Sequence, residues 1–163
     1  YTNSGKSTLF NILTKSDVST SNQLFTTLDS TTRMMSAGYP CRVIFSDTVG
    51  FIRKLPHQLV ESFKSTLEDI AQADLLLQVV DCSDPFLDKA MTQTRQVLDE
   101  IGAGNLPYLL IYNKIDVNPE FVALPSYSPA TFSVSALNRT GIAALQAEIV
   151  ARASSALKPT SRP

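Results

Sequence analysis

The feature that most constrains this chain is its opening stretch, Tyr1-Thr2-Asn3-Ser4-Gly5-Lys6-Ser7-Thr8. Gly5, Lys6 and Ser7 fill the end of the pattern G-x-x-x-x-G-K-[ST], in which backbone N–H groups at a helix N-terminus wrap phosphate oxygens. Leu9, Ile12 and Leu13 follow at helical spacing, so the loop feeds a helix. A phosphate loop of this kind joins a strand to a helix, which commits the chain to an α/β architecture with ligands at the C-terminal ends of its strands. The first glycine of the pattern would stand just before Tyr1. The sequence therefore reads as beginning inside the loop, with the feeding strand expected upstream and missing from this chain. Alone, the stretch leaves open a chance Gly-Lys-Ser-Thr at a helix start.

The rest of the sequence supports the α/β reading. Residues 15–32 are polar and rich in Ser and Thr, as in a long functional or disordered loop. Strands are expected over 33–39 and 42–47, with Gly38, Tyr39 and Pro40 in the turn between them. Leu59, Phe63, Leu67 and Ile70 mark one face of an amphipathic helix. The apolar runs Leu75–Val80 and Tyr108–Tyr112 suit strands buried on both faces. Met91, Thr94, Leu98 and Ile101 predict a helix between them that Gly102 would end. Thr131–Val134 is a last strand, and Ile142, Leu145 and Ile149 define the final helix. The domain is read as 1–153, with a frayed tail over 154–163.

Further motifs follow predicted strands. Asp47-Thr48-Val49-Gly50 would place Asp47 on Mg²⁺ and the Gly50 N–H on a terminal phosphate, with a plain strand-end turn as the alternative. Lys6 would reach the outer phosphates and the Ser7 hydroxyl would ligate the same Mg²⁺. Asn113-Lys114-Ile115-Asp116 discriminates between bases. Guanine presents N1–H and a 2-amino group side by side, and the Asp116 carboxylate can accept from both. Adenine would leave that carboxylate unpaired, which is costly when buried. Asn113 can bond N7 of the base or brace neighbouring loops, and the Lys114 stem can cover the ring. Ser135-Ala136-Leu137 gains meaning only from its position, where backbone groups could contact the guanine carbonyl.

In this order the motifs resemble the Ras-like GTPases, which implies a three-layer P-loop GTPase fold with a mostly parallel central sheet. The stretches Tyr1–Asn11, Leu24-Phe25-Thr26-Thr27-Leu28-Asp29-Ser30-Thr31-Thr32-Arg33 and Ser46–Val60 are more specific and resemble the HflX family. The likeness runs from residue 1 to about 150. It implies GTP hydrolysis and a nucleotide switch on the large ribosomal subunit, in ribosome splitting, rescue or maturation under stress. It makes Thr27 the Mg²⁺-binding switch threonine and places Phe25 to Asp29 around the nucleotide. Ser30 departs from the proline usual in the family. A binding module with negligible hydrolysis, or a GTPase of another ribosome-assembly or tRNA-modification pathway, are the competing readings.

The resemblance also shapes the expected mechanism. Lys6, Thr27 and Gly50 would act on the reacting phosphate. Phe51 stands where Ras-like enzymes carry a water-orienting glutamine, so turnover is expected to be slow alone and faster on the ribosome. Asn3 matches an asparagine that coordinates K⁺ in related GTPases lacking the glutamine; bracing the loop is its other reading. The expected partners are GTP, GDP and the large subunit, its rRNA and proteins, with the chain a monomer in the cytoplasm or an organellar matrix. A net charge of −1 gives no global electrostatic case for DNA or a membrane surface. Cys41 and Cys82 read as reduced thiols. His57, Arg53 and Lys54 read as surface residues, although the two cations could touch rRNA phosphates.

Overall fold

The computed structural model describes residues 3–14, 31–35, 42–47, 70–123 and 130–156. In chain order these form α1 (Lys6–Thr14), β1 (Thr31–Met34), β2 (Ile44–Asp47), β3 (Leu76–Asp81), α2 (Leu87–Glu100), β4 (Tyr108–Asn113), β5 (Thr131–Ser133) and α3 (Ile142–Ala156). Alternation of strand and helix gives the expected α/β fold. β3, β4 and β5 form a parallel sheet in that order, and β1 pairs with β2 as an antiparallel ribbon. Among the described residues no ladder joins β2 to β3.

The middle strand explains why its sequence is apolar throughout. Leu109, Leu110, Ile111 and Tyr112 are all fully buried. Successive side chains of a strand point to opposite faces. Leu109 and Ile111 pack with Leu9 and Leu13 of α1 and with Leu145 and Ile149 of α3. Leu110 and Tyr112 pack instead with Val80, Cys82 and Met91 of α2. Helices therefore cover both faces and make three layers. A polar residue at either register of β4 would face a core.

Several boundaries differ from expectation. β1 begins at Thr31, before the predicted residue 33, because Thr31 pairs with Asp47 and Thr32 with Ser46. Ladder partners decide the start there, where Ser and Thr propensities do not. α2 begins at Leu87, a turn before Met91, and ends as predicted at Gly102. That glycine has φ +77°. Its N–H bonds Asp99 O at 3.1 Å, and Ala103 N–H bonds Leu98 O at 2.8 Å. This double closure satisfies carbonyls that the helix end would otherwise orphan. α3 runs on to Ala156, beyond the boundary drawn at 153. The Ser155 hydroxyl caps back onto Ala151 O within that extension. The turn expected at Gly38, Tyr39 and Pro40 lies outside the described residues. So does the predicted 59–70 helix, apart from Ile70, which is buried against Leu98 and Ala103.

Candidate functional site

The parallel register brings the strand ends together. Asp81, the last residue of β3, is level with Asn113, the last of β4, and Tyr112 is level with Ser133 of β5. The loops that carry the motifs therefore leave one edge of the sheet side by side. The start of α1 meets them there.

Asn113 is the keystone of that edge. Its side chain is 2 % exposed. Its Nδ2 donates to Ser4 O of the phosphate loop at 2.8 Å. Its Oδ1 accepts from Ala136 N–H at 2.9 Å. The bracing that the sequence offers for Asn113 is present in the structure. The brace also explains Gly5. A Cβ built there would stand 2.2 Å from Asn113 Nδ2, and the backbone has φ +83°, a region that favours glycine. Neither the space nor the dihedral admits a side chain.

Asp116 sits half-buried, with Oδ1 accepting from the Ser135 hydroxyl. Ser135 Oγ in turn accepts from Asn138 N–H at 3.0 Å. An antiparallel bridge from Ser135 to Thr140 closes this loop, and Gly141 fits under Ser133 O because it has no Cβ. Ile115 N–H bonds Val134 O, adding a backbone tie between the two loops. Ala136 is buried, while Leu137 is 79 % exposed and takes no part in the bracing.

At the other end the charged groups satisfy one another. Lys6 Nζ is paired with Asp47 Oδ1, and the Ser7 hydroxyl donates to Asp47 Oδ2 at 3.1 Å. Asp47 is buried and Lys6 only partly so. Asn3 is exposed, with φ +63°. It lines a cleft of about 290 Å³ with Ser4 and with Asp81, Ser83 and Asp84 of the loop after β3. Thr8 lies in the first turn of α1. Tyr1, Thr2, Phe25, Thr26, Thr27, Leu28, Asp29, Thr48, Val49, Gly50, Phe51 and His57 lie outside the described residues.

One contact was not foreseen. Lys114 Nζ lies 2.6 Å from Asp81 Oδ2. Burial alone would raise the Asp81 carboxyl, but the Lys114 ammonium and the Ser83 hydroxyl and N–H hold it below its ordinary value of 3.8. Burial beside that carboxylate pushes the Cys82 thiol up, which suits an unreactive core cysteine. The sequence signal for Asp81 is slight: an acidic residue ending an apolar run, with a serine after it.

Comparison with known proteins places this constellation. Residues 1–114 match the model of the 50S ribosome-binding GTPase family. The chain belongs to that family. It is 46% identical over 149 residues to the GTPase HflX of Alkalihalophilus pseudofirmus, covering 91% of this chain and 35% of that protein. It is 51% identical over 116 residues to the GTPase HflX of Magnetococcus marinus, covering 71% of this chain and 27% of that protein. The resemblance to HflX is thus borne out, and the chain spans about a third of the length of these relatives. A GTP-binding protein from Sulfolobus solfataricus, solved in complex with GDP, superposes with a TM-score of 0.75 at 29% identity over 96% of this chain and 51% of that one. The P-loop GTPase fold of the family is therefore the fold of this chain.

Proposed function

We propose that this chain is the guanine-nucleotide part of a GTP hydrolase that acts as a switch on the large ribosomal subunit. The observation that carries the reading is the double brace of Asn113. It fastens the phosphate loop to the loop after β5 and leaves Asp116 beside them, on the edge where a base and its phosphates could be held together. Asp116 would accept from N1–H and the 2-amino group of guanine, with Ser135 holding its orientation.

The hydroxyl of Ser7 and the carboxylate of Asp47 are hard oxygen donors within hydrogen-bond distance of each other, which suits Mg²⁺. They would hold that ion, with Thr27 joining them, and the ion would neutralise charge on the phosphates. Lys6 would then leave Asp47 for the phosphate oxygens. Gly50 N–H would meet the terminal phosphate. Asn3, on the exposed rim of the loop, is where K⁺ would add a further positive charge; equal rates in KCl and NaCl would remove it from the mechanism. Binding to ribosomes would order or supply the group that Phe51 does not provide.

Single-turnover GTP hydrolysis by the full-length protein, with and without large subunits, tests the proposal. The expected result is slow hydrolysis alone, acceleration by subunits, and no competition by ATP. Binding without hydrolysis under both conditions would favour a nucleotide-gated module. Hydrolysis indifferent to subunits, with no co-sedimentation, would point to another pathway.

A further inference from the structure

The carboxylate that closes β3 stands outside the motifs above, yet it is tied into them. Both of its oxygens are engaged. Oδ1 accepts from Ser83 N–H at 2.9 Å and from the Ser83 hydroxyl at 2.6 Å. Oδ2 faces Lys114 Nζ at 2.6 Å, with the two side chains 19% and 28% exposed. The backbone under this pair is equally fixed. Asp81 and Asn113 are ladder partners, Cys82 N–H bonds Asn113 O at 3.0 Å, and Val117 N–H bonds Lys114 O at 2.9 Å. Lys114 itself holds φ +69°, a conformation that non-glycine residues adopt only when their surroundings impose it.

We propose that Asp81 is a positioning residue for the base end of the site: it anchors the Lys114 ammonium so that the aliphatic stem is held in place to cover one face of a guanine ring. A free lysine side chain has several rotatable bonds and loses much entropy when it is ordered. Here the near end is fixed by the backbone and the far end by Asp81, so the stem is ordered before a ligand arrives, and preorganisation of this kind raises affinity by removing a cost of binding. Ser83 keeps the carboxylate itself from turning. Asp81 lines the cleft beside Asn3 and Ser4, so the anchor sits next to the phosphate loop. An exposed lysine–carboxylate pair would be worth little. This one is part-buried, and three donors define its carboxylate.

The inference rests on the guanine-nucleotide reading and deepens it. Its test is GDP affinity, measured with a fluorescent GDP analogue on the full-length protein carrying Asp81→Asn, Asp81→Ala, Lys114→Ala or the Asp81→Ala/Lys114→Ala pair. Asp81→Asn keeps the shape and the Ser83 bonds, while it removes the charge and puts an NH2 donor in place of the acceptor that faces Lys114. Each single variant is expected to bind about tenfold more weakly, roughly one factor of ten in Kd for a lost preorganising contact. The pair is expected to bind no more weakly than Lys114→Ala alone, and Asp81→Glu should recover part of the loss. Nucleotide-free melting temperatures report folding separately. Wild-type affinity in Asp81→Asn, or effects that multiply in the pair, would overturn the proposal, as would a fall in melting temperature with affinity unchanged. A wild-type protein that binds no GDP would overturn the guanine reading itself. Normal wild-type binding with an indifferent Asp81→Asn would sink only the anchor.

Discussion

The two ends of the site are built on different principles. At the base end, Asn113 is fastened by backbone groups of the phosphate loop and the loop after β5, Ser135 by the Asn138 N–H, and Asp116 by the Ser135 hydroxyl, over strands paired in one parallel sheet. At the phosphate end, Lys6, Ser7 and Asp47 are held by one another, and Asp47 belongs to the separate antiparallel ribbon. The base end is preorganised, because nothing in its bracing must break for a ligand to enter. The phosphate end is self-satisfied, because its charged groups hold one another, and a phosphate or a metal would have to share or displace those contacts. Base recognition should therefore respond to mutation as lost contacts, and phosphate recognition as a rearrangement.

The largest expected effect lies at the base end. On the proposed reading, Asp116→Ala would remove two charge-assisted hydrogen bonds to guanine, each worth about 1.5–3 kcal/mol, so GDP affinity should fall by roughly 100-fold to 10,000-fold in equilibrium titration. A loss below tenfold would mean that the preorganised carboxylate does not read the base. Asn113→Ala follows. It removes the buried bonds to the Ser4 carbonyl and the Ala136 N–H, at about 0.5–1.5 kcal/mol for each bond lost. Denaturant unfolding should register that loss even without nucleotide, and affinity should fall with it. An affinity loss with unchanged stability would make Asn113 a ligand contact and blur the contrast between the ends.

At the phosphate end, Ser7→Ala should scarcely alter unfolding, since Asp47 keeps Lys6. It should weaken Mg²⁺-dependent nucleotide binding by about 1–2 kcal/mol, the scale of one hydrogen-bonding group lost at a charged site. Titration with GDP in Mg²⁺ and in EDTA separates the two effects. A large stability loss would show that this end, too, is a fixed scaffold.

The Asp81 carboxyl offers a smaller, pH-dependent test. Its folded-state value lies below the ordinary 3.8, so its contribution is present above that value and is lost as pH falls through the lowered one. Acid unfolding should differ between wild type and Asp81→Asn above that window and converge below it. Smallest of all is Arg152→Ala on α3. Its pair with Glu148 is a partly exposed i,i+4 contact, so stability should move by about 0.3–0.5 kcal/mol and nucleotide binding not at all.

Much of the base end was legible in sequence because it depends on local signals. The apolar runs that became β3 and β4, and the polar residues ending them, are short-range patterns. So is the stop at Gly102. The brace itself was legible only as one option for Asn113, since seeing it requires knowing that Ser4, Asn113 and Ala136 converge. Asp81 gave almost no signal: an acidic residue at a strand end also marks ordinary turns, and its role follows from the register that sets it level with Asn113. The Lys6–Asp47 pair was hidden for another reason. Both residues were assigned to ligands, and in the structure each serves as the other's partner. β1 began early because its pairing to β2 outweighed weak local propensity.

The brace from Asn113 to Ser4 and Ala136 also fixes an order of events during synthesis. Translation delivers the phosphate loop first, while the residue that holds it and the loop that holds that residue arrive only near the end of the domain. Until Ala136 and the turn to Gly141 have left the exit tunnel, the loop lacks both fastenings. Contacts so distant along the chain close late, because the intervening loop must be ordered before they form. A nascent chain of this design would acquire its nucleotide site in a single step, late in the synthesis of this domain.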